Sequence, residues 1–222
     1  MGAPLTRLDK LLSQRGYCTR REVRGAGARI QVGGRPARSY DEKVDPAEVT
    51  WDGEPLDPET LLILLHKPAG YTCSHRDLPP LVFELLPERW LRRNPALNSV
   101  GRLDKDTTGV LLLTDDGALL HRLTSPKARL PKIYEVTLER KPTDEELEQV
   151  RAGGLILEDK PLLPAPVERS GPLQVRLELV EGRYHQIKRT FALLGNAVTR
   201  LHRSRVGEWT VAGLEPAEYR IL

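Results

Sequence analysis

Val110-Leu111-Leu112-Leu113-Thr114 is a run of five apolar or β-friendly residues, closed by Gly109 on one side and by Asp115-Asp116-Gly117 on the other. A short apolar run between two turns reads as a buried strand. The polar stretch before it, Gly101-Arg102-Leu103-Asp104-Lys105-Asp106-Thr107-Thr108-Gly109, is then a loop beside buried structure. Asp104 lies in that loop, with Arg102 and Lys105 close in sequence. A carboxylate there is placed to face a substrate rather than bulk water, which makes it a candidate catalytic acid, base or nucleophile. Asp104, Asp106, Gly109 and Asp115 also fall at positions one, three, six and twelve of a calcium-loop spacing. Thr108 at position five, Asp in place of Glu at twelve, and a strand where the exiting helix should begin speak against that reading. The remaining alternative is a solvated acidic turn.

The 222 residues suffice for one large domain or two modest ones, and 39% hydrophobic content supports a real core. No run approaches the ~20 apolar residues of a membrane span, and the first residues lack a signal-peptide pattern, so a soluble cytoplasmic protein without membrane contact is expected. Met1-Gly2 with Thr6 matches an acylation pattern formally, but Pro4 and the lack of a second membrane signal favour coincidence. Cys18 and Cys73 are far apart and indicate neither a disulfide framework nor a zinc site.

The net charge of +3 conceals an asymmetry. Residues 1–40 hold nine Arg or Lys against two acids, a balance of +7, whereas the other 182 residues hold 25 bases against 29 acids, a balance of −4. A basic lobe on a mildly acidic body suggests a module for a polyanion, most plausibly nucleic acid. Leu8, Leu11 and Leu12 recur at helical spacing after Thr6, and Gly16 closes that first helix. Thr19-Arg20-Arg21-Glu22 is a capping-box pattern expected to open a second helix that throws Arg20, Arg21 and Arg24 outward, although Gly25-Ala26-Gly27-Ala28 leaves its length open. Ile30-Gln31-Val32 entering Gly33-Gly34-Arg35 reads as a hairpin. This layout resembles the S4-like RNA-binding domains, with Arg7, Lys10, Arg20, Arg21 and Arg24 as RNA-contacting candidates. The module is assigned to residues 1–53, a Pro-rich linker to 54–60, and a second domain to 61–222.

The second domain opens with an apolar run, Leu61 to Leu65, that leads through His66 to Lys67-Pro68-Ala69-Gly70, a strand ending in a turn. Cys73 and His75 lack the partners a metal site needs. Lys132 to Leu138 alternates as a strand that carries Tyr134, an aromatic of the kind on which an extruded base stacks, or simply a half-buried strand residue. Thr143-Asp144-Glu145-Glu146 opens a capped helix ended by Gly153-Gly154, with its acids expected in solvent. Leu173, Val175, Leu177 and Leu179 alternate as another strand. Arg183 to Asn196 then places Ile187, Phe191 and Leu194 on one helical face. Arg183 to Arg205 contains six Arg or Lys and no acid, a candidate phosphate-contacting patch that includes Arg183, Lys188 and Arg189.

The segment Gly101-Arg102-Leu103-Asp104, followed by Thr107-Thr108-Gly109-Val110-Leu111-Leu112-Leu113-Thr114-Asp115-Asp116-Gly117, resembles the signature loop of the pseudouridine synthases that modify ribosomal RNA. Lys67-Pro68-Ala69-Gly70, Lys132-Ile133-Tyr134 and Arg183-Tyr184-His185-Gln186-Ile187-Lys188 resemble three further motifs in the family's order. The resemblance implies an α+β fold, with an S4-like module ahead of a catalytic domain built on a mixed, mostly antiparallel sheet with flanking helices. It implies isomerisation of one uridine of 16S rRNA, of the uridine 516 type, to pseudouridine. It further implies Asp104 as the essential catalyst, Tyr134 against the target uracil, Lys188 paired with Asp104, and Arg102 holding the opened RNA. No cofactor or metal is implied. The expected partner is 16S rRNA or a small-subunit assembly intermediate, bound by a monomer. The same chemistry on 23S rRNA and a non-catalytic ribosome-assembly factor are the alternatives.

Overall fold

The computed structural model describes residues 4–222, so the Met1-Gly2 acylation pattern lies outside the described residues. The N-terminal unit is built on α1 (Leu8–Gln14), which buries Leu8, Leu11 and Leu12. Thr6 does not cap this helix; with Arg7 it forms β1 (Thr6–Arg7). Around the helix lie β2 (Ile30–Val32), β3 (Arg35–Pro36), β4 (Lys43–Val44), β5 (Val49–Trp51) and β6 (Glu54–Pro55), paired as β1-β4 and as β3-β2-β5-β6. Leu8, Leu11, Leu12, Val23, Ile30, Val32, Val44 and Val49 form a core of this unit's own, each worth about 1.5–3 kcal/mol when fully buried.

Two sequence expectations for this unit need correction. The capping-box bonds at Thr19 and Glu22 are present, at 2.8 and 3.3 Å, but no α-helix follows. The chain makes two 3₁₀ turns, Glu22–Gly25 and Gly27–Arg29. Gly25 and Gly27 each cost a helix interior about 1 kcal/mol, and Val23 is the one side chain these turns bury, too little packing to hold a longer helix. The boundary also shifts: β6 pairs with β5, so the unit runs to Pro55. Nor is the segment after it a free linker. Asp57 accepts from Arg89 Nε at 2.7 Å and Trp90 Nε1 at 2.8 Å, while its own N–H donates to the Tyr17 hydroxyl. Arg15 donates to the Asp57 carbonyl. Gly16, at φ +81°, ends α1 so close to the second domain that a Cβ there would sit 2.0 Å from the Arg89 carbonyl oxygen.

The second domain is organised by one nine-stranded sheet. Its strands are β7 (Leu62–Lys67), β8 (Asn98–Ser99), β9 (Thr108–Thr114), β10 (Lys132–Leu138), β13 (Val167–Arg169), β14 (Gln174–Leu179), β15 (Val198–Val206), β16 (Trp209–Thr210) and β17 (Tyr219–Ile221), with β11 (Ile156–Leu157) and β12 (Lys160–Pro161) forming a separate hairpin. The order is β13-β14-β10-β15-β9-β7-β17, with β8 beside β9 and β16 beside β15. Every pairing of named strands is antiparallel except β9 with β15. The fold is α+β with a mixed, mostly antiparallel sheet, as expected. β9 is apolar throughout because both its faces are covered: Leu111 and Leu113 enter the large core, and Val110 and Leu112 a smaller one with Leu64 and Val206.

The helices are α2 (Glu88–Leu91), α3 (Gly117–Thr124), α4 (Asp144–Ala152) and α5 (Gln186–Leu193). α4 begins at the capping box on Thr143, but one of its acids is not in solvent: Glu146 is buried, bonded to the Thr143 N–H and to Arg140. Asp115 is no calcium ligand either. It sits at the far end of β9 from Asp104, accepting from Leu61 N–H at 2.7 Å and from the buried Arg93 at 2.5 Å. No helix of the described residues is long and apolar enough to cross a membrane.

Candidate active site

The Asp104 loop is anchored from behind. Leu103 enters the large core, and the buried Cys73 thiol bonds its carbonyl and amide at 3.4 and 3.5 Å. Lys67, at the end of β7 and fully buried, supplies a second anchor. Its ammonium donates to the carbonyls of Pro68 at 3.0 Å, Lys105 at 3.2 Å and Thr107 at 2.8 Å, so three donors meet three acceptors. Gly70 N–H also donates to Lys105 O, at 2.7 Å. Burial drives the Lys67 pKa down to about 8. The residue that the sequence leaves near a strand end is therefore the clamp of the loop that carries Asp104. His75 has an ordinary packing role, stacked on Phe83 with Nε2 against the Leu97 carbonyl.

Across the sheet, register aligns Leu177, Tyr134, Arg203, Gly109 and Lys67 in one transverse row. Gly109 permits the row. At φ +113°, a Cβ there would stand 2.1 Å from the Arg203 carbonyl oxygen, so β9 and β15 meet in parallel only because that atom is absent. Arg203 is buried, and its Nε donates to Val110 O. Tyr134 is 9% exposed and belongs to the large core, two strands from Gly109.

Helix α5 faces the loop. Lys188 Nζ lies 3.2 Å from Asp104 Oδ2 and 2.6 Å from Asp106 Oδ1, while His185 Nε2 lies 3.3 Å from Asp104 Oδ1. Both Asp104 oxygens thus meet a nitrogen from the first turns of α5, and the Asp104 and Lys188 side chains each remain a quarter exposed. Burial pulls the Lys188 ammonium toward neutrality, but its bonds to Asp106 and Asp104 more than offset that, and its pKa is raised. The bond from Lys188 is the main cause that lowers the Asp106 pKa. His185 adopts φ +48°, a left-handed conformation that costs a non-glycine residue about 1 kcal/mol or more; it turns the imidazole onto Asp104.

The expected Lys188–Asp104 pair is therefore present across 84 residues of sequence. The charges expected from close by are not what Asp104 meets. Arg102 is exposed, 3.7 Å from Asp77, and Lys105 contributes its carbonyl to the Lys67 clamp. His185 and Asp106 were missed. The spacing of His185 and Lys188, three residues apart at the start of a helix, was the available signal. Of the basic residues proposed for RNA, Lys10, Arg20, Arg21 and Arg24 are exposed, and Arg7 is exposed but bidentate on Asp9. Arg183 and Arg189 are occupied otherwise. Arg183 donates to the carbonyls of Leu157, Lys160 and Pro161, and Arg189 to Glu158 at 2.5 Å, bracing the β11–β12 hairpin on α5.

Among the described residues, no group of three or more His, Cys, Asp or Glu is placed to hold a metal ion. A carboxylate left a quarter exposed and held by a lysine and a histidine on an anchored loop can act as nucleophile or proton acceptor.

Comparison with known proteins gives this geometry a family. Residues 61–193 match the model of the RNA pseudouridylate synthases. The chain is 43% identical to the ribosomal small subunit pseudouridine synthase A of Escherichia coli (strain K12) over 228 residues, covering 97% of this chain and 96% of that one. It is 40% identical to an uncharacterized RNA pseudouridine synthase, YtzG, of Bacillus subtilis (strain 168), covering 97% and 94% of the two chains. A crystal structure of a pseudouridylate synthase superposes with a TM-score of 0.68 at 35% identity, covering 98% of this chain and 96% of that one. The loop that carries Asp104 and the helix that carries Lys188 both lie within the matched region, and the chain belongs to the RNA pseudouridylate synthase family.

Proposed function

We propose that the protein isomerises one uridine of 16S rRNA, of the uridine 516 type, to pseudouridine, with Asp104 as the essential catalyst. The observation that carries this reading is the paired contact of both Asp104 oxygens with Lys188 and His185 on a loop clamped by Lys67. The substrate assignment rests on the full-length similarity to small-subunit relatives.

The reaction breaks the N-glycosidic bond, turns the uracil and rejoins it to the sugar through C5, with the C5 proton leaving and N1 gaining one. Every atom of the product comes from the substrate apart from exchanged protons, so the chemistry calls for no cofactor. Asp104 attacks the sugar or base, or accepts the proton, while Lys188 and His185 hold its carboxylate in one orientation. The uridine must leave its stack to reach this site; Tyr134 is assigned to pack on the extruded uracil and to assist proton removal, and Arg102 to hold the opened strand. The N-terminal unit, read as an S4-like module, binds RNA through Lys10, Arg20, Arg21 and Arg24. The working unit is a cytoplasmic monomer acting on naked 16S rRNA or an assembly intermediate.

Base-resolved pseudouridine mapping of 16S and 23S rRNA after incubation with wild-type protein and with Asp104→Asn tests this reading. One new 16S site, lost in the variant, is expected. A site in 23S instead would move the substrate. Tight binding with no new site in either RNA would replace the enzyme by a ribosome-assembly factor, and turnover by Asp104→Asn would remove Asp104 from the chemistry.

A further inference from the structure

Tyr184 is 69% exposed, among the most exposed large aromatic or aliphatic side chains of the described residues. Its ring is nonetheless ordered by a partner: it stacks on His185 with centroids 3.9 Å apart and planes 18° from parallel. The Nε2 edge of that imidazole lies 3.3 Å from Asp104. An exposed aromatic face therefore stands one imidazole away from the proposed catalytic carboxylate.

The backbone beneath it is held at every residue. Arg183 N–H donates to Gln186 Oε1 at 2.9 Å, and Gln186 Nε2 donates to Glu181. Arg189 donates to the Tyr184 carbonyl at 3.2 Å. The Arg183 guanidinium is fixed on three carbonyls of the β11–β12 region. None of these bonds uses the Tyr184 ring, so the surrounding structure positions an aromatic surface without burying it. A flat π-face kept in water beside a site that opens single-stranded RNA is the chemistry of a base-stacking platform.

We infer that the free face of Tyr184 stacks on the nucleobase adjacent to the target uridine, taking up the neighbour's stacking when the uridine leaves the strand. The inference rests on the Asp104 reading above. Its chemistry is sequence-tolerant, because every base has a π-face, so it favours single-stranded substrate without by itself naming the flanking base.

The test uses the full-length protein and two readouts. Short single-stranded RNAs with a central uridine and 2-aminopurine on one side or the other are bound to the wild type, Tyr184→Phe and Tyr184→Leu, and steady-state kinetics are run with 16S rRNA. Quenching at one flank is expected in the wild type and in Tyr184→Phe, and is lost in Tyr184→Leu. In the kinetics, Tyr184→Leu raises KM by about 5- to 20-fold with kcat kept within about 2-fold, the lower part of the range of one base–aromatic contact. Quenching at neither flank in the wild type, or Tyr184→Leu matching the wild type in quenching, overturns the inference. The quenching readout needs no turnover, so failure of the Asp104 reading, seen as no pseudouridine formed by the wild type, is recorded separately.

Discussion

The Lys67 ammonium donates to the Thr107 carbonyl 2.8 Å away, tying the end of β7 to the loop of Asp104 across 40 residues. Lys67→Met leaves the carbonyls of Pro68, Lys105 and Thr107 without this donor. Removing the buried charge recovers part of that cost, so a net loss of about 1–3 kcal/mol in unfolding free energy is expected. Turnover should fall further than stability alone accounts for, by about 10- to 100-fold, because the loop aims Asp104, the proposed catalyst. Thermal melts and kcat on the same preparation check this; a folded variant with unchanged kcat would rule out the clamp.

The same residue sets an alkaline limit. Its pKa of about 8 arises first from burial, which Arg203 reinforces and Cys73, Asp106 and Asp104 oppose. Above that pH the neutral amine offers two donors to three carbonyls, and kcat should decline. Stability moves the other way. The unfolded side chain titrates near 10.4, so between about pH 8 and 10.4 the unfolded chain binds more protons, and this residue's contribution to unfolding free energy rises with pH. A kcat profile and melting temperatures over that window show both signs, and Lys67→Met should lose this limb of the profile.

Lys188 serves two carboxylates that differ in exposure. Lys188→Ala removes the cation from Asp104 and should lower kcat by about 10- to 100-fold, the worth of a charge-assisted bond. Lys188→Arg should restore part of it. Asp106 is 71% exposed, and an exposed pair is worth about 0–1 kcal/mol, so Asp106→Asn should stay within about 5-fold of wild type. A collapse of activity in Asp106→Asn would move Asp106 into the chemistry itself.

Gly109→Ala places a methyl 2.1 Å from the Arg203 carbonyl oxygen at φ +113°. Neither backbone can give way without breaking the β9–β15 pairing, so a loss of about 3 kcal/mol or more is expected. Denaturant titration measures it.

Asp57 holds the two halves of the molecule through Tyr17, Arg89 and Trp90. Burial pushes its pKa up, but the bonds from Arg89 and Trp90 outweigh that, and the net shift is downward. Its contribution to stability is therefore present above the usual carboxylate pKa of about 3.9 and lost as pH falls below it. Asp57→Asn should weaken this bridge and expose the segment 56–60 to protease, while activity on a short RNA bound by the catalytic domain alone changes less than activity on 16S rRNA. Equal protease resistance in variant and wild type would show that Asp57 is not what holds the halves together.

Much of the site was legible because it is local. The apolar run 110–114, bounded by glycine and aspartates, announces β9; Leu8, Leu11 and Leu12 announce α1; Thr143 and Glu146 announce α4 through a bond pattern four residues long. Where sequence reading went astray, a local signal met a tertiary competitor. The Thr19 capping box was real, yet two glycines and scant packing stopped the helix it should have opened. Arg183 and Arg189 read as phosphate contacts because no acid lies between Arg183 and Arg205, but Glu181 pairs with Arg183 at 3.4 Å and the hairpin that takes the other donors lies more than twenty residues upstream.

By itself the sequence determined α1, β9, α4, the basic N-terminal lobe and the loop that carries Asp104, since each follows from spacing and side-chain type within about ten residues. Tertiary structure alone decided which charges face that carboxylate. Lys188 and His185 reach it from α5, Lys67 clamps its loop from β7, and Gly109 lets β15 lie against β9. Such pairings depend on strand register and on which faces the sheet buries, and these emerge only when distant segments share one core.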